Sequence, residues 1–403
     1  MSGPLEGLRV LELGALIAGP FAGRMLADFG AEVIKVEEPR LGDPMREWGQ
    51  HRYQGRSLWW PVQSRNKKLV TLDLRQAEGR DLLLRLAERS DALIENFRPG
   101  TLERWGLGPD ELWRANQRLV IARVSGYGQT GPYAGRPGFA VAGEAMGGLR
   151  YINGYPGQPP PRSGISLGDS LAAMFAVQGI LMALYRRDAR TADGDGGGQI
   201  VDASIMEGCF AMLEAAVPEY GKLGHVRQPT GTGLGNTAPS NLYRSRDGKW
   251  IVIGANAENL WQRLCQVIGR PDLLKDDRFR THWSRGQNAS ALDEIIGSWV
   301  AGHDAAEVDR LMNDNGIVCG PVHTIADIFE DPQFRARDML VEMEDPDLGT
   351  IVAPGVVPRL SETPGEACWT GSWRLGCHNR EIYGGLLGLA DDELAALTEA
   401  GVI

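Results

Sequence analysis

The sequence predicts an α/β protein whose N-terminal part forms an open, parallel, Rossmann-like sheet. The first observation is a strand at Leu8–Leu13, a glycine-containing turn, a helix at Phe21–Phe29 and a second strand at Ala31–Val36. The second is that strands and helices keep alternating to about residue 125. A strand, a helix and another strand are typical of a βαβ unit, and successive units build a parallel sheet.

The other elements of this part follow from hydrophobic periodicity. Alternation predicts strands at Leu69–Leu74, Ala92–Glu95, Leu119–Ser125 and Ile200–Ala203. Helical spacing predicts helices at Gln76–Ser90, Leu102–Gly106, Val141–Gly147, Ser170–Arg187 and Ser204–Tyr220, with a turn at Ala192–Gly198. Asp169 is predicted to cap the long helix, because aspartate favours the N-cap position.

The composition changes after about residue 225, which predicts a second domain. A polar, glycine-rich connector at Gln228–Asn241 precedes a predicted hairpin around Asp247 and Gly248 and a strand at Trp250–Ile253. Helices are predicted at Leu260–Ile268, Ala291–Ala301, Ala305–Asn315 and, in the tail, Asp391–Gly401. We therefore divide the chain into a large Rossmann-like domain (1–224, with the linker), a small α+β domain (225–330) and a C-terminal part (331–403).

The charge of the chain argues against a nucleic-acid partner. The 403 residues carry 42 basic and 52 acidic side chains, a formal net charge of −10. Residues 301–403 hold 6 of the basic and 19 of the acidic side chains, so we expect this tail to form a solvated outer face. A negative protein without a basic run is a poor binder of nucleic acid.

Cysteine and histidine positions predict neither a disulfide framework nor a metal site. The five cysteines form no C-x-x-C pair, and the six histidines include no H-E-x-x-H. The N-terminus lacks the features of a secretory signal, and the longest nearly apolar run, Leu171–Tyr185, is shorter than the ~20 residues that span a bilayer. We therefore expect a soluble, cytoplasmic protein without a membrane partner.

The glycine turn after the first predicted strand fits no common nucleotide motif. Gly14 and Gly19 lack G-x-G-x-x-G spacing, and Pro20 stands where a P-loop has its lysine, so a tight βα turn is favoured over an NAD or ATP site. Several basic side chains near predicted strand ends either hold phosphates or are solvated surface charge, and the residues alone leave both open: Arg65, Lys67, Lys68, Arg75, Arg98 and Arg104.

Two further features each have a structural and a functional interpretation. Asp169 is either a helix N-cap, the commoner role, or a carboxylate nucleophile beside Gly168, which would let a ligand approach closely. The two roles are compatible. The loop with Gly231, Gly233 and Gly235 is either a plain linker, which is commoner, or a mobile lid over a site.

Short segments along nearly the whole chain, from about Leu5 to the C-terminal Gly-Val-Ile, together resemble the family III CoA-transferases. This superfamily includes formyl-CoA transferase, carnitine CoA-transferase and 2-methylacyl-CoA racemase. The segments that carry the resemblance are Leu8–Leu13 with Ala18–Pro20, Leu26–Glu37, Gly42–Arg46, Asn66–Leu74, Glu95–Gly100, Ser125–Pro132, Gly168–Asp169, Asp247–Gly254 and Gly316–Val322.

The resemblance implies that Asp169 is the nucleophile and that a CoA thioester is the substrate, with no tightly bound cofactor. The carboxylate would form an aspartyl–acyl anhydride and then an aspartyl-CoA thioester, which a carboxylic acid acceptor consumes. Because water would hydrolyse both intermediates, the 231–235 loop is implied to be a lid. The implied CoA contacts that match the family are Ile17, Ala18, Leu72, Arg75, Asn96, Phe97, Arg98 and Arg104.

Three positions depart from the family pattern. Glu38 stands where the family has a basic residue for the adenosine phosphates, so Arg40 is expected to substitute. Pro137 stands where a lysine is frequent, with Arg136 adjacent. Phe139 stands where the racemases carry a histidine, so racemisation is disfavoured. We count Arg40, Arg136 and Phe139 among the expected CoA contacts.

The resemblance also implies an interlocked homodimer, in which the large domain joins the N-terminal and C-terminal parts of the chain. The segments Asn66–Lys68 and Gly126–Pro132 are most similar to members that use succinyl-CoA and dicarboxylic acids. A CoA-ester racemase or isomerase is the first alternative, and a catalytically silent CoA-binding paralogue is the second.

Overall fold

A computed structural model describes residues 3–190, 196–235 and 237–403, and every element below lies within them. In chain order the strands are β1 (Arg9–Glu12), β2 (Glu32–Glu37), β3 (Arg52–Tyr53), β4 (Arg56–Ser57), β5 (Lys67–Thr71), β6 (Ala92–Glu95), β7 (Val120–Ser125), β8 (Ile200–Ser204), β9 (Ser240–Arg244), β10 (Trp250–Gly254), β11 (Val318–Pro321), β12 (Leu340–Asp345) and β13 (Gly349–Pro354).

The α-helices are α1 (Ala18–Ala27), α2 (Trp59–Gln63), α3 (Ala77–Ala87), α4 (Thr101–Arg104), α5 (Pro109–Ala115), α6 (Ala140–Met146), α7 (Leu167–Ala189), α8 (Ile205–Phe210), α9 (Ala216–Leu223), α10 (Glu258–Val267), α11 (His282–Gln287), α12 (Ala289–Val300), α13 (Ala305–Asp314), α14 (Ile325–Glu330), α15 (Pro332–Ala336) and α16 (Asp391–Glu399). Two 3-10 helices lie at Pro44–Glu47 and Pro271–Lys275, and a π-helix at Arg380–Leu386.

The central sheet has six strands in the order β5-β2-β1-β6-β7-β8, and every neighbouring pair is parallel. Numbered along the chain, this is the order 3-2-1-4-5-6 of a doubly wound Rossmann fold. The strand order reverses between β1 and β6, so a crevice for ligands is expected there, at the carboxyl ends of the strands. The predicted α/β class with an open parallel sheet is confirmed.

Helices cover both faces of this sheet. On one face α1 and α7 bury Ala22 and Ala173 against Val10 of β1. On the other face α3 and the C-terminal segment pack together, and the Tyr383 hydroxyl donates a hydrogen bond to the Thr71 carbonyl at 2.9 Å. The C-terminal segment is therefore part of the layer that covers the sheet.

The chain divides into two compact units, described here separately. The first comprises residues 1–149, 162–214 and 333–403, and the second comprises 150–161 and 215–332. The second unit contains the antiparallel sheet β11-β10-β9, which packs with α10, α12 and α13 around buried residues such as Trp261. Residues 150–161 and 215–224 thus group with the second unit, whereas the sequence-based division counts them in the large domain.

Some elements differ from the sequence-based prediction. The helix predicted at Ser204–Tyr220 is two helices, α8 and α9, separated by a turn in which Glu214 has a φ of 49°. Helix α5 was not predicted, because Leu112 is its one buried residue and gives almost no periodicity. Of the turn predicted at Ala192–Gly198, residues 192–195 lie outside the described residues.

Within the described residues, one helix, α7, is long and apolar enough to cross a membrane by length and composition. In this fold Ala173, Ile180 and Leu184 of α7 are buried against the sheet. The same apolar residues that satisfy the membrane test therefore form part of the core.

Candidate active site

A pocket of about 170 Å³ opens at the carboxyl edge of the sheet, beside the loops that follow β1 and β6. We call it the switch-point pocket, because the strand order reverses between these two strands. The sequence-predicted site residues that line it are Asp169, Ile17, Ala18, Asn96, Phe97, Arg98, Arg136 and Phe139. Residues from four separate parts of the first unit thus meet where the fold predicts a ligand.

The loop between β1 and α1 is held against the loop after β6 by a pair of hydrogen bonds. The Ala15 N–H donates to Asn96 Oδ1, and Asn96 Nδ2 donates to the Ala15 carbonyl, both at 2.8 Å. Gly14 and Gly19 allow this approach, because a Cβ on Gly14 would lie 2.8 Å from the Gly19 Cα. The two glycines thus serve a tight turn, the interpretation that their spacing favours.

Asp169 lies in the first turn of α7, so the prediction that it is the N-cap is wrong. The N-cap is Ser166, whose side chain makes no capping hydrogen bond, and the helix begins at Leu167, two residues before Asp169. The Asp169 side chain is therefore not used as a cap and instead lines the switch-point pocket. The positive end of the helix dipole still favours a negative charge at this position.

Gly168 serves packing inside the protein. A Cβ at this position would lie 2.8 Å from Ile205 Cγ2 and 3.1 Å from Glu144 Cγ. The Gly168 N–H donates a hydrogen bond to Glu144 Oε1 at 3.1 Å. The sequence suggested that Gly168 lets a ligand approach, whereas the structure shows that it lets α7 approach α6 and α8.

Burial, and after it the negative charge of Glu144, raise the pKa of the Asp169 carboxyl, Arg162 lowers it, and the net result is a pKa of about 6. Glu144 is 3% exposed and was not predicted as a site residue. A signal for it exists in the sequence, since Glu144 is the one charged residue in the apolar segment Val141–Gly147. At neutral pH Asp169 is largely ionised and incompletely solvated, a combination that suits a carboxylate nucleophile.

Two arginines in the lining of the switch-point pocket have no carboxylate partner among the described residues. Arg98 follows Asn96 and Phe97 and is exposed. Arg136 places its guanidinium over the Tyr133 ring, 3.6 Å from the ring centroid. Unpaired guanidinium groups can receive phosphate or carboxylate groups with paired hydrogen bonds.

A neighbouring pocket of about 270 Å³ shares Ala15 and Phe97 with the switch-point pocket. We call it the edge pocket, and it contains Leu72 and Arg75. Arg75 is already paired with carboxylates, through Nε with Asp73 Oδ1 at 2.8 Å and through Nη2 with Glu38 Oε1 at 3.3 Å.

Arg40 and Arg104 are not in the lining of either pocket. Arg40 pairs with Glu38 at 3.1 Å, and Arg104 Nη2 donates to Thr101 Oγ1 at 2.8 Å. Both side chains are exposed and lie outside the two pockets. Their role as CoA contacts stays a prediction.

Among the basic side chains that the sequence offered as phosphate ligands, two are buried. Arg65 pairs with Asp28 at 2.7 Å, and Lys67 pairs with Glu12 at 2.6 Å. Both are at most 1% exposed, so neither is available to a ligand. Lys68 is partly exposed and contacts Glu32 and Glu381, at 2.7 and 2.6 Å.

The predicted lid loop belongs to the second unit. The Gly231 N–H donates a hydrogen bond to the Gly154 carbonyl at 2.8 Å, and Gly231 has a φ of 72°, which favours glycine. Gly233 packs on Asn241, and Gly235 lies beside Thr230. A lid function stays a prediction for these three glycines.

No group of three or more histidine, cysteine, aspartate or glutamate side chains that could hold a metal ion occurs in residues 3–190, 196–235 and 237–403. The five cysteines are all free. The polar groups in the lining of the switch-point pocket include the Asp169 carboxylate, the Arg98 and Arg136 guanidinium groups, the Asn96 amide and the Ser125 hydroxyl.

Comparisons with known proteins show the family of this chain. Residues 5–379 match CoA-transferase family III. Succinyl-CoA–D-citramalate CoA-transferase of Chloroflexus aurantiacus is 53% identical to this chain, over 99% of this chain and 98% of that protein. Formyl-CoA:oxalate CoA-transferase of Streptomyces coelicolor is 33% identical, over 99% of each chain.

Among solved structures, a CAIB/BAIF family protein from Brucella suis has the same fold. The TM-score is 0.84 at 32% identity, and the match covers 96% of this chain and 100% of that one. The sheet order, the pocket at its switch point and these relatives lead to one assignment: the chain belongs to CoA-transferase family III and is an enzyme of the CoA-transferase type.

Proposed function

We propose that the enzyme moves CoA from an acyl-CoA donor to a small carboxylic acid through covalent intermediates on Asp169. The observation that carries the proposal is the position of Asp169, whose partly desolvated carboxylate lies in a pocket at the switch point of the sheet. The same pocket contains two arginines without carboxylate partners in the described chain, Arg98 and Arg136. A nucleophile and an anion-binding rim are what a CoA thioester and a carboxylate acceptor require.

The reaction begins when an Asp169 oxygen attacks the thioester carbonyl carbon. The C–S bond breaks, CoA leaves as the thiolate, and an aspartyl–acyl anhydride is formed. The thiolate then attacks the Asp169 carbonyl carbon of the anhydride, which releases the donor carboxylate and leaves an aspartyl-CoA thioester.

The second half of the reaction repeats these steps in reverse with the acceptor. An acceptor carboxylate oxygen attacks the Asp169 carbonyl carbon, and the thiolate leaves again. The thiolate then attacks the acyl carbon of the new anhydride, which forms the product thioester and restores the Asp169 carboxylate. Both intermediates react with water, so we include the 231–235 loop in the proposal as the lid that excludes water.

For the substrates we propose succinyl-CoA as donor and a dicarboxylic acid as acceptor. The support is the activity of a relative that is 53% identical to this chain, a succinyl-CoA–D-citramalate CoA-transferase. The adenosine part of CoA is proposed to lie in the edge pocket with Leu72 and Arg75, with Arg40 and Arg104 outside it.

The test is to trap the covalent intermediate. The protein is incubated with succinyl-CoA and hydroxylamine, and peptide mass spectrometry is used to find a hydroxamate on Asp169. Asp169→Ala and Asp169→Asn serve as controls and are expected to give no adduct and no CoA transfer to a panel of carboxylic acids. Full transfer by Asp169→Ala would overturn the mechanism, whereas α-proton exchange in D₂O without transfer would favour a racemase.

We also propose that the enzyme is a cytoplasmic homodimer. The domain division 1–224, 225–330 and 331–403 stays a prediction, and residues 150–161 and 215–224 differ from it by grouping with the second unit. The support for the dimer is the apolar outer face of α7, where Met182 is 61% and Tyr185 is 77% exposed. Beside them an apolar groove of about 640 Å³ contains Met174, Leu181 and Met212. Contiguous exposed apolar surface often marks a protein interface. Light scattering should give the dimer mass, and Met182→Asp should weaken the dimer, whereas a wild-type monomer would contradict the proposal.

A further inference from the structure

A chain of buried ion pairs lies beneath the loop that joins β1 to α1. Lys67 Nζ contacts Glu12 Oε2 at 2.6 Å, Lys35 Nζ contacts Glu12 Oε1 at 3.0 Å, and Lys35 Nζ also contacts Asp43 Oδ2 at 2.7 Å. The four side chains are at most 1% exposed. Buried ion pairs are costly to desolvate and are weak evidence for stability by themselves, so their position is more informative than their number.

Asp43 connects this ion-pair chain to the backbone of the β1–α1 loop. Its Oδ1 accepts hydrogen bonds from the Leu16 N–H at 3.0 Å and from the Met45 N–H at 2.8 Å. Because Lys35 holds Oδ2, the other oxygen is fixed toward Leu16. Leu16 has a φ of 65°, in the left-handed region that a leucine rarely adopts, so this backbone conformation depends on an external restraint.

The restrained residue is part of the wall of the switch-point pocket. Leu16 and its neighbours Ala15 and Ile17 share that pocket with Asp169. Asn96 holds Ala15 from one side with two hydrogen bonds, and Asp43 holds Leu16 from the other. Loss of Asp43 would therefore free one side of the loop and leave the other attached.

We propose that Asp43 is a positioning residue for the transfer reaction: it fixes Leu16 and so the wall against which the acyl thioester is aligned for attack by Asp169. The inference rests on the proposed function. Asp43 lines the edge pocket but not the switch-point pocket, so it acts on the wall beside Asp169 through the Leu16 backbone. A displacement of about 1 Å in such a wall is enough to slow a reaction about 100-fold.

The experiment separates positioning from stability with a matched control. Asp28 forms an equally buried pair with Arg65, at side-chain exposures of 5% and 1%, and it lies at the opposite end of α1. We would compare wild type with Asp43→Ala, Asp43→Asn and Asp28→Ala. The measured quantities are the melting temperature, KM, and, per folded molecule, kcat and the single-turnover rate at which the hydroxylamine-trapped Asp169 adduct forms.

We expect Asp43→Ala to lower the adduct rate about 100-fold, because the loop loses its restraint. Asp43→Asn keeps an oxygen acceptor for Leu16, so its adduct rate is expected within about tenfold of wild type. The adduct rate of Asp28→Ala is expected within about threefold of wild type, although its melting temperature should fall about as much as that of Asp43→Ala. Equal rates for Asp43→Ala and Asp28→Ala would overturn the inference. A wild type that forms no adduct would instead contradict the proposed function.

A second pair of variants covers the case in which Asp43→Ala does not fold. Lys35→Met/Asp43→Asn and Lys35→Met/Asp43→Leu both remove the buried pair and its desolvation cost, and they differ in the acceptor offered to Leu16. We expect the Asn double variant to react at least about tenfold faster than the Leu double variant. Equal rates in this pair would also overturn the inference.

Discussion

Glu144 Oε1 accepts a hydrogen bond from the Gly168 N–H at 3.1 Å, which places a second buried carboxylate beside the first turn of the helix that carries Asp169. Asp169 itself is largely removed from solvent, and burial is the main reason that its pKa lies at about 6, with the charge of Glu144 as the next cause. The nucleophile is therefore ionised at neutral pH and becomes protonated in mildly acidic solution.

The first prediction concerns the pH dependence of the reaction. As the pH rises, kcat/KM for an acyl-CoA should increase through an apparent pKa of about 6, because the attacking group is the ionised Asp169. Glu144→Gln keeps a carbonyl oxygen for the Gly168 N–H but removes the charge. The rise of kcat/KM with pH, the acidic limb of the profile, should therefore move to lower pH. Initial rates at several acyl-CoA concentrations between pH 4.5 and 8 test this, and an unchanged limb in Glu144→Gln would contradict it.

The second prediction concerns stability. Because folding raises the pKa of Asp169 from 3.8 to about 6, this group contributes most to stability below its unfolded pKa, and that contribution is lost as the pH rises through about 6. Asp169→Asn should therefore be more stable than wild type at pH 7.5, by roughly 1–3 kcal/mol. The difference should vanish near pH 4. Melting temperatures at both pH values check this, and a variant less stable at pH 7.5 would refute it.

Much of this site was expected from the resemblance to the family, which implies Ile17, Asn96 and Phe97 as CoA contacts. These residues lie in the loops after two predicted strands, and parallel strands bring such loops to one edge of the sheet, where the three residues line one pocket. Glu144 was missed because its contact with Gly168 depends on how two helices pack against each other. Hydrophobic periodicity does not specify that packing. Lys67 was expected to be exposed, either as a phosphate ligand or as surface charge, because its partner Glu12 is 55 positions earlier in the chain.

The third prediction concerns Gly168. In Gly168→Ala the new methyl group would lie within 3.1 Å of Ile205 and Glu144, so α7 must move away from them. The expected cost is about 1–3 kcal/mol of stability, with a fall in the Asp169 adduct rate. Gly221→Ala is the matched control, since it lies inside helix α9 with no atom within 4 Å of the added carbon. Gly221→Ala should raise the free energy of unfolding by about 0.5–1 kcal/mol and leave the adduct rate unchanged.

The outcome is read from the two variants together. Calorimetry gives the sign of each change in melting temperature, and the hydroxylamine assay gives the adduct rate per folded molecule. If Gly168→Ala were as stable and as reactive as wild type, Gly168 would not be needed for the approach of α7 to α6 and α8.

The last prediction concerns the edge pocket, where Arg75 Nη2 is paired with Glu38 Oε1 at 3.3 Å. If the adenosine phosphates of CoA lie there, Glu38 competes with them for Arg75. Glu38→Gln keeps an oxygen acceptor for the Leu41 N–H but removes the competing charge, so KM for succinyl-CoA should fall about two- to fivefold at low salt, with kcat unchanged. This decrease in KM should be smaller at high ionic strength, because exposed charges are then screened.

Two controls make this prediction specific to the pocket. Glu111→Gln removes a similar surface partner, that of Arg114 at 3.1 Å, and Glu111 is not in the lining of the edge pocket, so KM should stay constant. Glu38→Gln should lower KM less for the 3′-dephospho form of succinyl-CoA than for succinyl-CoA, because the dephospho form carries fewer negative charges for Arg75 to attract. An unchanged KM for both thioesters would show that Arg75 does not receive a phosphate of CoA.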